Sequence, residues 1–142
     1  MARIYAASSW RNQYQPDIVQ FMQINGHEVY DSRNPPGQAG FAWRDIEEGW
    51  QEWTKEKYRD LLFHHPKAAH GFVADFRGMM WADTCVLILP SGRSAHLEAG
   101  WFVGAQRRLI VYMPQKEEPD LMYLMAQHLV FTKDELAKAL DF

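Results

Sequence analysis

The side chains most capable of chemistry are concentrated in one stretch, residues 83 to 101, Asp-Thr-Cys-Val-Leu-Ile-Leu-Pro-Ser-Gly-Arg-Ser-Ala-His-Leu-Glu-Ala-Gly-Trp. An apolar run passes through a tight glycine turn into small residues that open a helix, with Glu98 in its first turns. A helix start has unpaired backbone N–H groups and the positive end of the helix dipole, so it favours an anion beside it. Glu98 is therefore expected as an ionised carboxylate facing the crevice at the strand's end, suited to nucleophilic attack or to gripping a ligand. A solvated helix glutamate is the plain alternative. The turn Ser91-Gly92-Arg93-Ser94 has the form of a phosphate cradle built from backbone N–H groups. It lacks the lysine of a P-loop and the full glycine pattern of a dinucleotide site, so ATP and NAD are poorly supported.

Other candidates are weaker. Asp75 lies in the helix that leads to the apolar run, and Asp83 immediately precedes that run. Each is read either as an acid for chemistry or as a helix cap or surface charge. If the run to Leu89 is extended, Asp83 sits at the opposite end of its strand from Glu98. His96-Leu-Glu98 matches the His-x-Glu of zinc deaminases, but the partner Pro-Cys-x-x-Cys is absent and Cys85 is the only cysteine. His64, His65 and His70 have no carboxylate–histidine spacing to match, so neither a metal nor any other cofactor is expected.

The elements that must position these residues alternate. Arg3 to Ala7 reads as a buried strand. Pro16 to Asn25 reads as a helix with Ile18, Val19, Phe21 and Met22 on one face and Gly26 as its stop. His27 to Tyr30 is a second strand. Residues 33 to 42 are rich in turn formers and predict an exposed, mobile loop. Asp45 to Leu62 predicts a helix, with Asp45 and Glu48 as a capping pair and Ile46, Trp50 and Trp53 as its apolar stripe. His64-His-Pro breaks the chain, and Lys67 to Trp81 resumes as a helix. Thr84 to Leu89 is a continuous apolar strand covered on both faces. A helix from Ser94 to Gln106 and a strand from Leu109 to Met113 follow, then polar surface from Gln115 to Asp120. His128 to Phe131 is a last strand, and Thr132-Lys-Asp-Glu135 is a capping box opening a helix to Leu140.

That alternation predicts an α/β, flavodoxin-like three-layer fold across residues 1–142 as a single domain, with a parallel sheet of about five strands in the order 2-1-3-4-5. In such a sheet the ligand crevice lies at the switch point between the first and third strands. Ser8, Ser9, Trp10, Arg11 and Asn12 should therefore face Ser91 to Glu98. Phe41 and Trp43, in the glycine-rich loop, are either base-stacking aromatics or anchors of the loop.

Composition excludes several classes. The net charge of −3 offers nothing to a nucleic-acid backbone or an anionic membrane. With one cysteine no intrachain disulfide is possible, and Cys85 reads as buried filler. The first residues enter a strand without a signal-peptide pattern, and no apolar run is long enough to span a membrane. A cytoplasmic protein is expected.

Ile4-Tyr-Ala-Ala-Ser-Ser9, Ala82-Asp83 before the apolar strand, and Gly92-x-Ser94-x-x-x-Glu98-x-Gly100 together resemble the nucleoside 2-deoxyribosyltransferase superfamily, which includes related nucleotide N-hydrolases. The resemblance spans most of residues 3 to 113. It implies cleavage or transfer at the N-glycosidic bond of a (deoxy)nucleoside or nucleoside monophosphate, with Glu98 as the nucleophile. Asp75, and behind it Asp83, would then assist the departing base. Ser91, Gly92 and Ser94 would hold a 5′-phosphate, with Arg93 and Arg11 adding charge; Tyr5, Ser8, Ser9 and Trp10 are expected as substrate contacts, and Phe41 and Trp43, in an insertion not typical of the best-known members, as the loop's base-stacking candidates. It also implies a homodimer or larger homo-oligomer, sometimes with one subunit completing another's site. Pro90-x-Gly92-x-Ser94-x-x-x-Glu98 is similar as well to the signature of nucleotide-activating phosphoribohydrolases, which points to the same bond. A non-catalytic nucleotide-binding or sensing module on this fold is the alternative, and a structural or interaction protein the third possibility.

Overall fold

In a computed structural model, which describes residues 1–141, the chain forms two compact units, residues 1–31 with 79–141 and residues 32–78. The larger unit contains β1 (Arg3–Ala7), α1 (Gln15–Ile24), β2 (Glu28–Asp31), β3 (Thr84–Ile88), α4 (Arg93–Gly104), β4 (Arg108–Tyr112), β5 (His128–Val130) and α5 (Lys133–Leu140). The smaller contains α2 (Lys55–His64) and most of α3 (Pro66–Trp81).

The five strands form one parallel sheet in the order β2-β1-β3-β4-β5, as the alternation of elements predicts. Side chains alternate between the two sides of each strand. Ile4, Ala6, Val86, Ile88, Ile110 and Tyr112 share a core with Ile18, Val19 and Met22 of α1 and Leu136, Ala139 and Leu140 of α5. The alternate positions, among them Tyr5, Cys85, Leu87 and Leu109, turn to the other face, where α4 packs on β1, β3 and β4. All five residues of β3 are buried, which is why that run is apolar without alternation.

Local chemistry sets the ends of the elements. Gly26, at φ +92°, lets the chain reverse after α1 while the His27 N–H returns to the Met22 carbonyl. At α5 the Thr132 half of the expected capping box forms: Thr132 Oγ1 accepts from the Glu135 N–H at 3.1 Å, while Glu135 Oε1 accepts at 3.1 Å from the N–H of Phe131, the residue before the N-cap.

The expected helix from Asp45 to Leu62 does not form. Two short 3₁₀ turns, Trp43–Asp45 and Trp50–Glu52, precede α2, which starts at Lys55 because Thr54 is its N-cap, accepting from the Lys57 N–H at 3.1 Å. Asp45 and Glu48 do not cap a helix together: the Asp45 carboxylate accepts from the Ala42 N–H at 3.0 Å. Ile46, Trp50 and Trp53 line no helix face, and Trp53 instead packs edge-on against Trp43 at 6.0 Å. A further 3₁₀ turn, Leu121–Met125, lies in a segment for which the sequence offered no regular element.

At the strands' starting edge, His27 is nearly buried and its Nδ1 accepts from the Ala2 N–H at 2.9 Å. Burial, followed by the positive chain terminus, lowers its pKa below the usual 6.5. The folded state therefore binds this proton less readily than the unfolded chain, so the contribution to stability is present above about pH 6.5 and is lost as pH falls from there through the lower folded value. At the opposite edge the side-chain amide of Asn12 joins two loops. Its Nδ2 donates to the carbonyls of Ile88 at 2.8 Å and Pro90 at 2.9 Å, and its Oδ1 accepts from the N–H groups of Tyr14 at 2.8 Å and Gln15 at 3.0 Å. Two outcomes are expected. Urea unfolding midpoints should fall in the wild type as pH drops below about 6.5, with a shallower fall in His27→Asn, which keeps an acceptor and cannot titrate. Asn12→Ala should lose about 2–4 kcal/mol in the same measurement, because four backbone groups lose their partner at a buried position.

Candidate active site

Hydrogen bonds stitch together the two loops at the switch point. The Ser9 N–H donates to Ser91 Oγ at 2.9 Å, and the Ser91 hydroxyl donates to the Ile88 carbonyl at 2.6 Å. The β1–α1 and β3–α4 loops are thus brought together as the topology predicts. The hydroxyl proton of Ser91 is committed to this stitch, which makes Ser91 a loop tie. Ser9 Oγ in turn accepts from the Arg11 N–H at 3.3 Å. Trp10 and Arg11 are exposed on the β1 side, and Gly92, Arg93 and Ser94 are exposed at the start of α4. Gly92 is the N-cap, in extended conformation, with no side chain capping the first turn.

Glu98 is the sixth residue of α4 and is half-buried. The dipole effect fades within the first turn, so the helix start alone does not account for the setting of this carboxylate. Its partner is a residue 93 positions away: the Tyr5 hydroxyl donates to Glu98 Oε2 at 2.5 Å, in the range of charge-assisted O–H···O⁻ bonds. Tyr5 is fully buried in the middle of β1, and its ring packs against Phe102, one turn beyond Glu98 on α4, with centroids 5.8 Å apart. Ala95 and Ala99 are buried on that helix, small enough for α4 to lie close to the sheet. Cys85, the neighbour of Tyr5 in register, registers the same carboxylate: burial foremost, and then the negative charge of Glu98, push its thiol well above the usual range. The bond between Tyr5 and Glu98 has no short-range signal in the sequence.

His96 does not face Glu98. Its Nδ1 donates to the Gly92 carbonyl at 2.8 Å, and its Nε2 meets the Tyr123 hydroxyl at 2.9 Å. Burial raises the pKa of Tyr123, and Glu117 and Asp120 add to the effect. Asp83 is not brought to Glu98 either. It lies at the starting edge of the sheet, where its carboxylate accepts from the Arg3 N–H at 3.1 Å and the Thr84 hydroxyl at 2.7 Å. That is the work of a strand-start pin, and the geometry offers it no part in chemistry at Glu98. Among the described residues, no three His, Cys, Asp or Glu side chains gather as a metal site, and no helix is long and apolar enough to cross a membrane.

The remaining expected residues belong to the smaller unit. Asp75 is half-buried in α3. Phe41 packs over Gly71, where a Cβ would come within 2.8 Å of the Phe41 Cβ. Trp43 is edge-on to Phe41 at 4.9 Å and to Tyr58 at 5.6 Å. The Lys67 ammonium donates to the Asp45 carbonyl at 2.7 Å. These contacts anchor the loop within its own unit, and they flank a cleft of about 580 Å³ between residues 37–41 and the first turns of α3.

No family model matches the sequence, and no curated protein matches it in sequence. Solved structures do match. A 2-deoxyribosyltransferase from Bacillus psychrosaccharolyticus superposes with a TM-score of 0.68 at 19% identity, over 96% of this chain and 90% of that one. The CMP N-glycosidase BcmB of Clostridium botulinum gives 0.52 at 13% identity over 99% of both chains. A conserved protein of Enterococcus faecalis V583 gives 0.59 at 14% identity, over 99% of this chain and 98% of that one. The motif resemblance and these likenesses agree on architecture: the chain has the fold of the nucleoside 2-deoxyribosyltransferase-like proteins.

Proposed function

We propose that this protein is an enzyme that cleaves, or transfers at, the N-glycosidic bond of a (deoxy)nucleoside or nucleoside monophosphate, with Glu98 as nucleophile. The observation that carries the reading is the Tyr5–Glu98 bond, which holds a half-buried carboxylate of α4 against the middle of β1. Two solved structures of the same fold are a 2-deoxyribosyltransferase and a CMP N-glycosidase, which supports this class of chemistry.

Glycosidic cleavage passes through an oxocarbenium-like state, which an adjacent carboxylate stabilises and then captures. A Glu98 oxygen bonds to the anomeric carbon as the C–N bond breaks, and the base departs with the electron pair and takes up a proton. Water or a second base then attacks the same carbon and releases the carboxylate. Trp10 and Ser8 are proposed to contact the nucleoside. Gly92, Arg93 and Ser94 are proposed to hold a 5′-phosphate, with Arg11 adding charge. The protein is further proposed to work in the cytoplasm as a homodimer or larger assembly.

Purified protein incubated with deoxynucleosides and nucleoside monophosphates, with and without a second free base, should release or exchange base as read by chromatography. Glu98→Gln should lower kcat by at least about a thousandfold while still binding substrate, and Tyr5→Phe should lower it by about tenfold. Arg93→Gln should raise KM for a monophosphate about tenfold and leave that for the nucleoside nearly unchanged. Ligand binding without product from any member of the panel would instead favour a nucleotide-sensing module.

A further inference from the structure

Tyr5 reaches Glu98 only if its ring is aimed there, and the ring has a second aromatic neighbour that the chemistry described so far does not use. Tyr30, in β2, is paired in register with Tyr5 and stacks on it, with ring centroids 5.4 Å apart and planes 9° apart. Tyr30 is buried, at 9% exposure. Phe102 contacts the same Tyr5 ring at a tilt of 40°. A tyrosine on a strand can otherwise swing about its side-chain torsions, and the hydroxyl, at the far end of the ring, moves most. A flat partner lying nearly parallel restricts that swing, and stacked aromatic pairs contribute beyond the area they bury.

We propose that Tyr30 is a positioning residue for the reaction, acting through the face of its ring: it holds Tyr5 so that the Tyr5 hydroxyl stays on Glu98. This rests on the reading of Glu98 as the reacting carboxylate. Tyr30 need not touch the substrate. Its effect passes along the path Tyr30–Tyr5–Glu98, from the edge strand β2 to α4, and small misplacements of a reacting group carry large costs in rate.

The test uses the whole chain. Tyr30→Leu should lower kcat by up to about tenfold, no more than Tyr5→Phe does, with KM changed less than about threefold, whereas Tyr30→Phe, which keeps the ring, should match wild-type kcat. The double variant Tyr5→Phe/Tyr30→Leu should be no slower than Tyr5→Phe alone, since both changes remove one interaction. Multiplying losses in the double variant, or a loss in Tyr30→Phe as large as in Tyr30→Leu, would overturn the proposal. A second readout does not depend on turnover. With tyrosines labelled at the ζ-carbon, the NMR line of Tyr5 should move in Tyr30→Leu towards its position in Glu98→Ala, and stay in place in Tyr30→Phe. A Tyr5 line unmoved in Tyr30→Leu overturns the positioning role. Absence of turnover by the wild type on every substrate counts instead against the glycosidic reading. Tyr30→Met, which also lacks a ring, serves in both measurements if Tyr30→Leu does not fold.

Discussion

The amide of Asn12 is the constraint on which the crevice depends. Both of its protons and both lone pairs of its oxygen are used, on Ile88, Pro90, Tyr14 and Gln15. No other residue type has two donors and two acceptors in that short, planar form. The side chain therefore caps the start of α1, which Tyr14 leaves without a side-chain cap, and ties it to the end of β3. The Ser9–Ser91 bond sits on top of this tie, so the two loops hold a fixed separation without help from a ligand. Buried polar groups of this kind stabilise when fully satisfied and cost heavily when one partner is missing.

Beneath the loops, the candidate chemistry is distributed across layers. Tyr5 comes from the sheet and Glu98 from α4, while Ala95 and Ala99 let the helix approach closely enough for the two to bond. Phe102 and Tyr30 then fill the space around the Tyr5 ring. The carboxylate is thus set by packing on the sheet as much as by its distance from the helix start. Stabilising a developing positive charge calls for a fixed negative group, and fixed groups are best built on strands and helices.

Much of this was legible in the sequence because it is periodic. Continuous apolar runs mark buried parallel strands, and the helices between them alternate regularly, so strand order follows from few rules. Glu98 stood out for the glycine turn before it. Residues 45–62 misled for a clear reason. Ile46, Trp50 and Trp53 happen to fall at helix spacing, but Thr54 begins a helix of its own and the aromatics pack on one another across turns. Asp83 was ambiguous because an aspartate before a strand looks alike whether it pins the strand or serves a site. The Tyr5–Glu98 and Tyr5–Tyr30 pairs are long-range, and spacing along a chain says nothing about them.

One contact in the smaller unit bears on how such a chain can change over time. The Phe41 ring lies where any side chain on residue 71 would have to go. Substitutions at these two positions are therefore not independent: a larger residue at 71 is tolerable only after 41 has become smaller. Lineages that reshape the 37–41 loop should accordingly show paired replacements at 41 and 71, which makes this pair a historical record of when that cleft acquired its present shape.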